Sequence, residues 1–475
     1  MNQTVLLLVI FCCVALLCGW FFIGQLKCNF LKYTSGFSKI VLLAFIFSIS
    51  AIIVKAQYNN EWIDYSKTYY KFKVGKTGLY RISQQILANS LLGNTPAEQF
   101  QLWRNGVEVP IYTSVASGVI PGNGYIEFWG EKNDGKPDKA LYKNPANQLS
   151  DALSLETDTA AYFLTVNTAG NNLRIIDAAN NVAGNILPPE TSFMYEYRYD
   201  YQQRLNWGRA TDFGEYVYSS TYDVGEFWAS NDIYPASPLQ LSAGNLYVAT
   251  GSSSNATLQV SFAGNSTLGY SRTVKVNIGG NNAITSNTLL SMNAGVLSNN
   301  AIPLAWINSA SVNFSFADVS SQTSDRIAVG FVSLSYPRQF NFGGASNFAF
   351  TLPATSQGYY LEVTNFSGGA APVLYDLTNG KRYAADISGG LLRFVLPQSF
   401  AERKLVLVNE DNPNNVGSLG TRNFINYSNT NQGDYLIISN RRLINGGNAI
   451  NDYVGYRSSG PGGSFTAKVY DVKNW

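Results

Sequence analysis

The sequence contains no histidine, and its four cysteines, Cys12, Cys13, Cys18 and Cys28, all fall within the first 28 residues. From Ala56 onward neither residue occurs. No disulfide can staple a fold built there, so each domain must close on a hydrophobic core of its own. The same gap excludes a Cys–His pair, a Ser–His–Asp triad, a haem-ligating histidine and any ordinary zinc site in that stretch. With 475 residues there is room for about three domains of ordinary size. Only 13% of residues are charged and 14% are aromatic. Few charges with abundant Tyr, Gly, Asn, Ser and Thr suit an exported β-rich protein better than a cytoplasmic helical one.

Export is also written at the front. Ile40 to Val54 is an apolar run that follows Lys32 and Lys39 and ends at Val54-Lys55-Ala56-Gln57. A basic start, an apolar centre and small residues at the −3 and −1 positions make a signal peptide over about 32–56, cleaved after Ala56. A second apolar run, Val5 to Ile23, reads either as a membrane span or as translation from an upstream start. The leader, 1–56, holds four lysines and no Asp, Glu or Arg, so the remainder has 29 basic against 31 acidic residues. No basic surface for nucleic acid is predicted. Membrane contact is expected only through the leader.

From Gln57 the chain reads as a succession of short strands. Tyr69–Val74 alternates aromatic or aliphatic residues with Lys, as a half-buried strand does. Gly78–Ile82 continues it, and Ser83 is placed to cap a short helix carrying Ile86, Leu87 and Leu91. Phe100–Arg104 and Val107–Tyr112 flank Asn105-Gly106, a strong hairpin signal because both turn positions need positive φ. Tyr125–Trp129 and Ala161–Val166 complete a β-rich domain at 57–190. Leu246–Thr250, Ala256–Phe262, Thr273–Ile278, Ser311–Phe316 and Ile327–Tyr336 predict a β-sandwich at 191–340. In Ser311–Phe316, Val312, Phe314 and Phe316 share one face. Tyr359–Phe366, Val373–Leu377, Leu391–Leu396 and Lys404–Asn409 predict an immunoglobulin-like sandwich at 341–428, with Asp411 to Gln432 a polar linker.

The last segment, 429–475, changes style. Asp434-Tyr435-Leu436-Ile437-Ile438-Ser439 has the unbroken apolar centre of a strand buried on both faces. A Gly-interrupted stretch follows, then Phe465–Val472, a second strand candidate. Strand, crossover, strand opens a βαβ unit and so a parallel sheet, which is expected to be cut short at Trp475. The fold class predicted is mainly β, ending in the start of an α/β domain.

Several stretches, taken in order, resemble the gingipain-type cysteine peptidases of Bacteroidetes, in particular the sortase-like members of the type IX secretion system. They are Gly78-Leu79-Tyr80-Arg81-Ile82, Leu102-Trp103-Arg104-Asn105-Gly106, and Ile126-Glu127-Phe128-Trp129-Gly130 with Asp134-Gly135 and Asp138. Asp158 to Leu164, Gly225-Glu226-Phe227-Trp228, and Asp434–Ser439 with Tyr456-Arg457 and Lys468-Val469-Tyr470 follow. The match is spread over most of residues 60–475. The resemblance implies a β-rich region before a caspase-like α/β domain, whose chemistry uses a Cys thiolate, a His acid/base and backbone amides for the oxyanion. No residue here can receive the Cys or His role, so no catalytic residue is assigned and the chain alone is expected to be inactive. Secretion-system components or polypeptide substrates are the partners implied for the full-length protein, at the cell surface, the outer membrane or outside the cell.

Other stretches have two readings. Asn133-Asp134-Gly135-Lys136-Pro137-Asp138 could bind calcium, but it lacks the alternating oxygen ligands and distal Glu of a calcium loop, and an Asp-Gly turn explains it. Tyr195-Glu196-Tyr197-Arg198-Tyr199-Asp200-Tyr201 is either an aromatic platform or a strand with its Tyr face inward. With Trp207, Tyr222, Glu226, Phe227 and Trp228 it is what a carbohydrate- or protein-binding surface module would use. Gly460-Pro461-Gly462-Gly463 reads as a turn, since the Lys-Ser/Thr of a phosphate loop is missing. The scattered Asp and Glu single out no acid/base pair. No cofactor and no metal ligand are predicted.

Overall fold

The computed structural model describes residues 60–472, apart from 213–215, 220–221, 253, 267–271, 290–291 and 427–431. The leader, 1–56, and its apolar runs lie outside the described residues. No helix among the described residues is long and apolar enough to cross a membrane. The fold is mainly β, with short strands gathered into three layered pairs of sheets, two small antiparallel ribbons (204–206 with 227–229, and 208–212 with 216–219) and one parallel pair.

In the first pair, one sheet runs 420–422, 69–74, 160–166, 100–104, 107–109, and the other 414–415, 78–83, 125–130, 112–113. Alternation decides which side faces in. Phe72 and Val74 enter the core while Lys71 and Lys73 stay exposed, as the two-residue period of a strand requires. Asn105 and Gly106 take φ of 49° and 77°, the left-handed values of a tight hairpin turn. Ser83 does cap the helix, its Oγ accepting from the Ile86 amide. That helix, Gln84–Asn89, stops short of Leu91, which sits at φ 62° and is 94% exposed.

The second pair sets 239–244, 311–319, 273–278, 281–286 against 294–302, 256–264, 327–338, 193–200. Val312, Phe314 and Phe316 point together into its core. The strand Ile327–Arg338 is buried almost throughout, because Phe227, Ala229 and Ala263 cover Ala328 on its second face. The expected strand Leu246–Thr250 is not formed. Asn245 and Tyr247 adopt φ of 58° and 45°, which breaks the extended chain, and the strand lies earlier at Leu239–Gly244.

The third pair places 341–345, 359–366, 391–396, 386–388 over 347–352, 403–408, 373–376, 381–384, 176–177. Its core is pinned by Arg403, whose guanidinium donates to the Asp376 carboxylate and to the carbonyls of Pro397 and Gln398; both side chains of the ion pair are buried. The stretch read as a polar linker is partly structured. Asn414–Asn415 pairs with Tyr80 and Arg81, Gly420–Arg422 pairs with Tyr69 to Lys71, and the Phe424 ring packs on Trp62, Tyr69 and Phe163. Polar composition hid this, because an added edge strand bonds through its backbone.

Candidate functional site

The terminal unit is a parallel βαβ. Tyr435–Ser439 pairs in register with Ala467–Asp471, Tyr435 opposite Ala467 and Ser439 opposite Asp471. Two short helices, Arg441–Asn445 and Ala449–Ser458, make the crossover. Asn440 caps the first by accepting from the Arg442 amide at 3.0 Å. Arg441 Nε reaches Asp471 Oδ2 at 2.8 Å. The Arg457 guanidinium lies 4.3 Å from the Tyr435 ring centre and 4.7 Å from that of Phe465, so Tyr456-Arg457 serves packing. Gly462 makes the turn before the second strand, where a side chain would collide with the Tyr456 carbonyl.

The expected burial of both strand faces is not found. Burial alternates along Tyr435–Ser439, with Leu436 46% and Ile438 56% exposed. The register puts Lys468 and Tyr470 beside them. Leu443 and Tyr456 are exposed on the crossover. Between 432 and 472, only Gly462 and Asp471 are buried. The helices cover one face and leave an apolar face open, whereas parallel sheets elsewhere have both faces covered.

The first and third sandwiches meet at a charged joint. Arg81 and Glu127 are opposite on paired strands, and Arg81 Nε donates to Glu127 Oε2 at 2.5 Å. The Tyr375 hydroxyl donates to Glu127, and its oxygen also lies 3.0 Å from Glu410 Oε1. Arg382 holds Glu410 and Asp177 at 2.5 Å each. Burial, then the neighbouring Glu410, raises the Glu127 carboxyl above its ordinary value, and burial raises the Tyr375 hydroxyl. Leu79, Val373, Val406 and Val408 form the apolar half of the joint. Every polar group here faces a partner, so the joint fixes two sandwiches against each other. Sequence reading missed it. Glu127, a lone carboxylate between Ile126 and Phe128, was its one local signal.

The aromatic segment 195–230 divides. Tyr195, Tyr197 and Tyr201 pack into the second core, and Tyr199 is 42% exposed. Trp228 Nε1 donates to the Ser154 carbonyl at 3.0 Å, Tyr142 donates to the Glu226 carbonyl at 2.7 Å, and Glu226 accepts from the Asp223 amide. These residues fasten the 136–156 loop. The exposed indole is Trp207, at 64%. Gly135 sits at φ −82° and opens a short 3₁₀ helix, Lys136–Leu141, in place of a positive-φ turn. Asp138 turns inward, accepting from Ser154 Oγ at 3.1 Å and the Leu155 amide at 2.8 Å. Among the described residues no group of three or more His, Cys, Asp or Glu could hold a metal ion.

No family model matches the sequence, and no curated protein does. Among solved structures, dimeric latent PorU from Porphyromonas gingivalis is similar in fold, with a TM-score of 0.51 and 12% identity, over 85% of this chain and 37% of that one. This chain thus spans well under half the length of PorU. A CBM36-1 domain of a xylanase from the hindgut metagenome of Trinervitermes trinervoides aligns over 30% of the chain, at a TM-score of 0.19 and 9% identity, and 96% of that domain is covered.

Proposed function

We propose that this chain supplies the β-rich, non-catalytic platform of an exported, gingipain-like sortase of the type IX secretion system. The open apolar face of 435–471 carries the reading. A two-stranded parallel unit with helices on one side is the seam on which an α/β peptidase layer would pack. The ordered motifs from Gly78 to Tyr470 and the likeness in fold to PorU over 85% of the chain support it. The three sandwiches, the first and third of them fixed by the joint at Glu127 and Tyr375, would hold that layer and offer surface to secretion-system components or polypeptide substrates at the cell surface or outer membrane. The acyl-transfer chemistry of such peptidases needs a thiolate and an imidazole, and from Ala56 onward this sequence holds neither residue.

The test has two arms. The purified chain is incubated with a fluorogenic peptide library, and no cleavage above the blank is expected. The source locus is sequenced past the Trp475 codon, where an in-frame series of strands, then a His and then a Cys, is expected. Peptide cleavage by the chain alone, or unrelated sequence beyond that codon, would overturn the proposal.

A further inference from the structure

A cleft of about 370 Å³ opens at one end of the second sandwich, lined by Arg204, Trp207, Asp232, Asn265 and Arg326 among others. That is within the ~300–1,000 Å³ of small-ligand sites. Its polar floor is fixed in advance. Arg204 grips Asp232 with two nitrogens, at 2.5 and 3.1 Å. Asn265 Nδ2 donates to Asp232 Oδ1 at 2.9 Å and to Asn206 Oδ1 at 3.0 Å. Arg326 is held by its Nε, which donates to the Asn265 carbonyl at 2.6 Å, while the Asn265 amide donates to the Arg326 carbonyl at 2.9 Å. Loops braced this way lose little freedom on binding.

Three features define the ligand. The two terminal nitrogens of Arg326 have no hydrogen-bond or ion-pair partner among the described residues, and with Arg204 already paired to Asp232 the cleft carries an uncompensated positive charge. Planar guanidinium forks suit a carboxylate. Asn206 is buried and braces the floor, while the Asp232 carboxylate accepts and the guanidinium nitrogens donate, which matches hydroxyl groups that do both. Trp207, 64% exposed, presents apolar ring surface at the rim, suited to the C–H face of a pyranose. We infer that this cleft binds an acidic saccharide, a chain bearing uronic acid units. The carboxylate meets Arg326, the hydroxyls meet Asp232, and one ring stacks on Trp207. The inference stands apart from the platform role, since the cleft lies on the second sandwich and uses none of residues 435–471.

The test is a calorimetric titration of the full chain with tetrasaccharides of galacturonic, glucuronic and guluronic acid. Neutral maltotetraose and a tetraglutamate peptide are the comparisons. At least one uronic tetrasaccharide is expected to bind more tightly than either comparison. Trp207→Ala is expected to weaken it by about tenfold or more, and Arg326→Ala to abolish the preference for acidic over neutral sugar. Both variants should keep the parent melting temperature, confirming that they fold. Absence of binding by every uronic tetrasaccharide at about 10 mM would overturn the inference. So would equal binding of maltotetraose, tighter binding of the peptide, or unchanged affinity in folded Trp207→Ala.

Discussion

The second sandwich and the terminal βαβ unit are built from equally apolar strands, yet only one of them has a core. Ile327–Arg338 is flanked by paired strands and covered on both faces, and Val329, Val332 and Leu334 are fully buried. Tyr435–Ser439 has one partner strand and helices on one side, and Leu436 and Ile438 stay about half exposed. Apolar sequence is therefore not the same as buried sequence. A sandwich brings its own second layer, whereas a parallel unit needs layers on both sides.

The comparison can be broken by substitutions whose effects should differ by region. Phe314→Ala, in the middle of the second core, should destabilise by about 3–5 kcal/mol, read as a shift in denaturant midpoint. Ile437→Ala in the terminal unit should leave that main transition unmoved. An equal shift would show that the two regions share one cooperative core. Arg403→Leu leaves Asp376 buried without its cation and should cost the third sandwich about 3–5 kcal/mol, with Asp376→Asn in the same background restoring part of it.

A smaller effect concerns pH. Asp318 is buried on 311–319, neither carboxylate oxygen has a hydrogen-bond partner among the described residues, and burial, then the charge of Asp325, pushes its carboxyl up to about 6. Arg272 pairs instead with Asp325 at 2.5 Å. A raised folded value favours the neutral acid, so its stabilising contribution is full below about 3.8 and is lost as pH rises through about 6. Asp318→Asn should therefore raise the melting temperature at pH 8, by the equivalent of about 1–3 kcal/mol, and the gain should vanish near pH 4. A gain that grew on acidification would contradict this. Smallest of all, Leu436→Lys with Ile438→Lys should change stability by less than about 0.5 kcal/mol, read as a shift in denaturant midpoint.

Much of the fold was legible because strands announce themselves by alternation. Val312, Phe314 and Phe316 on one face, Asn105-Gly106 at positive φ and the Ser83 cap are all local events. The parallel pairing of 435–439 with 467–471 was also readable, from two apolar runs separated by a crossover. The failures are non-local. Backbone pairing of 414–415 and 420–422 leaves no mark in composition, and left-handed Tyr247 cannot be told from a strand residue by side chain alone. At the candidate sites, the joint of Arg81, Glu127, Tyr375, Arg382 and Glu410 spans more than 300 positions of sequence, so no window contains it. Trp207 and Trp228 look alike in sequence. The fold separates them: the Trp228 indole donates to the Ser154 carbonyl, and Trp207 is 64% exposed.

The central claim, that the βαβ unit carries an open face and the sandwiches do not, is tested most directly by native-state hydrogen exchange of the purified chain. The amides of Val329, Val332 and Leu334 should exchange only through global unfolding. Those of Leu436, Ile437, Ile438 and Val469 should exchange by local opening, at least about a hundredfold faster. Protection of the terminal amides equal to that of the second sandwich would mean that the unit has a complete core, and the platform account would fall.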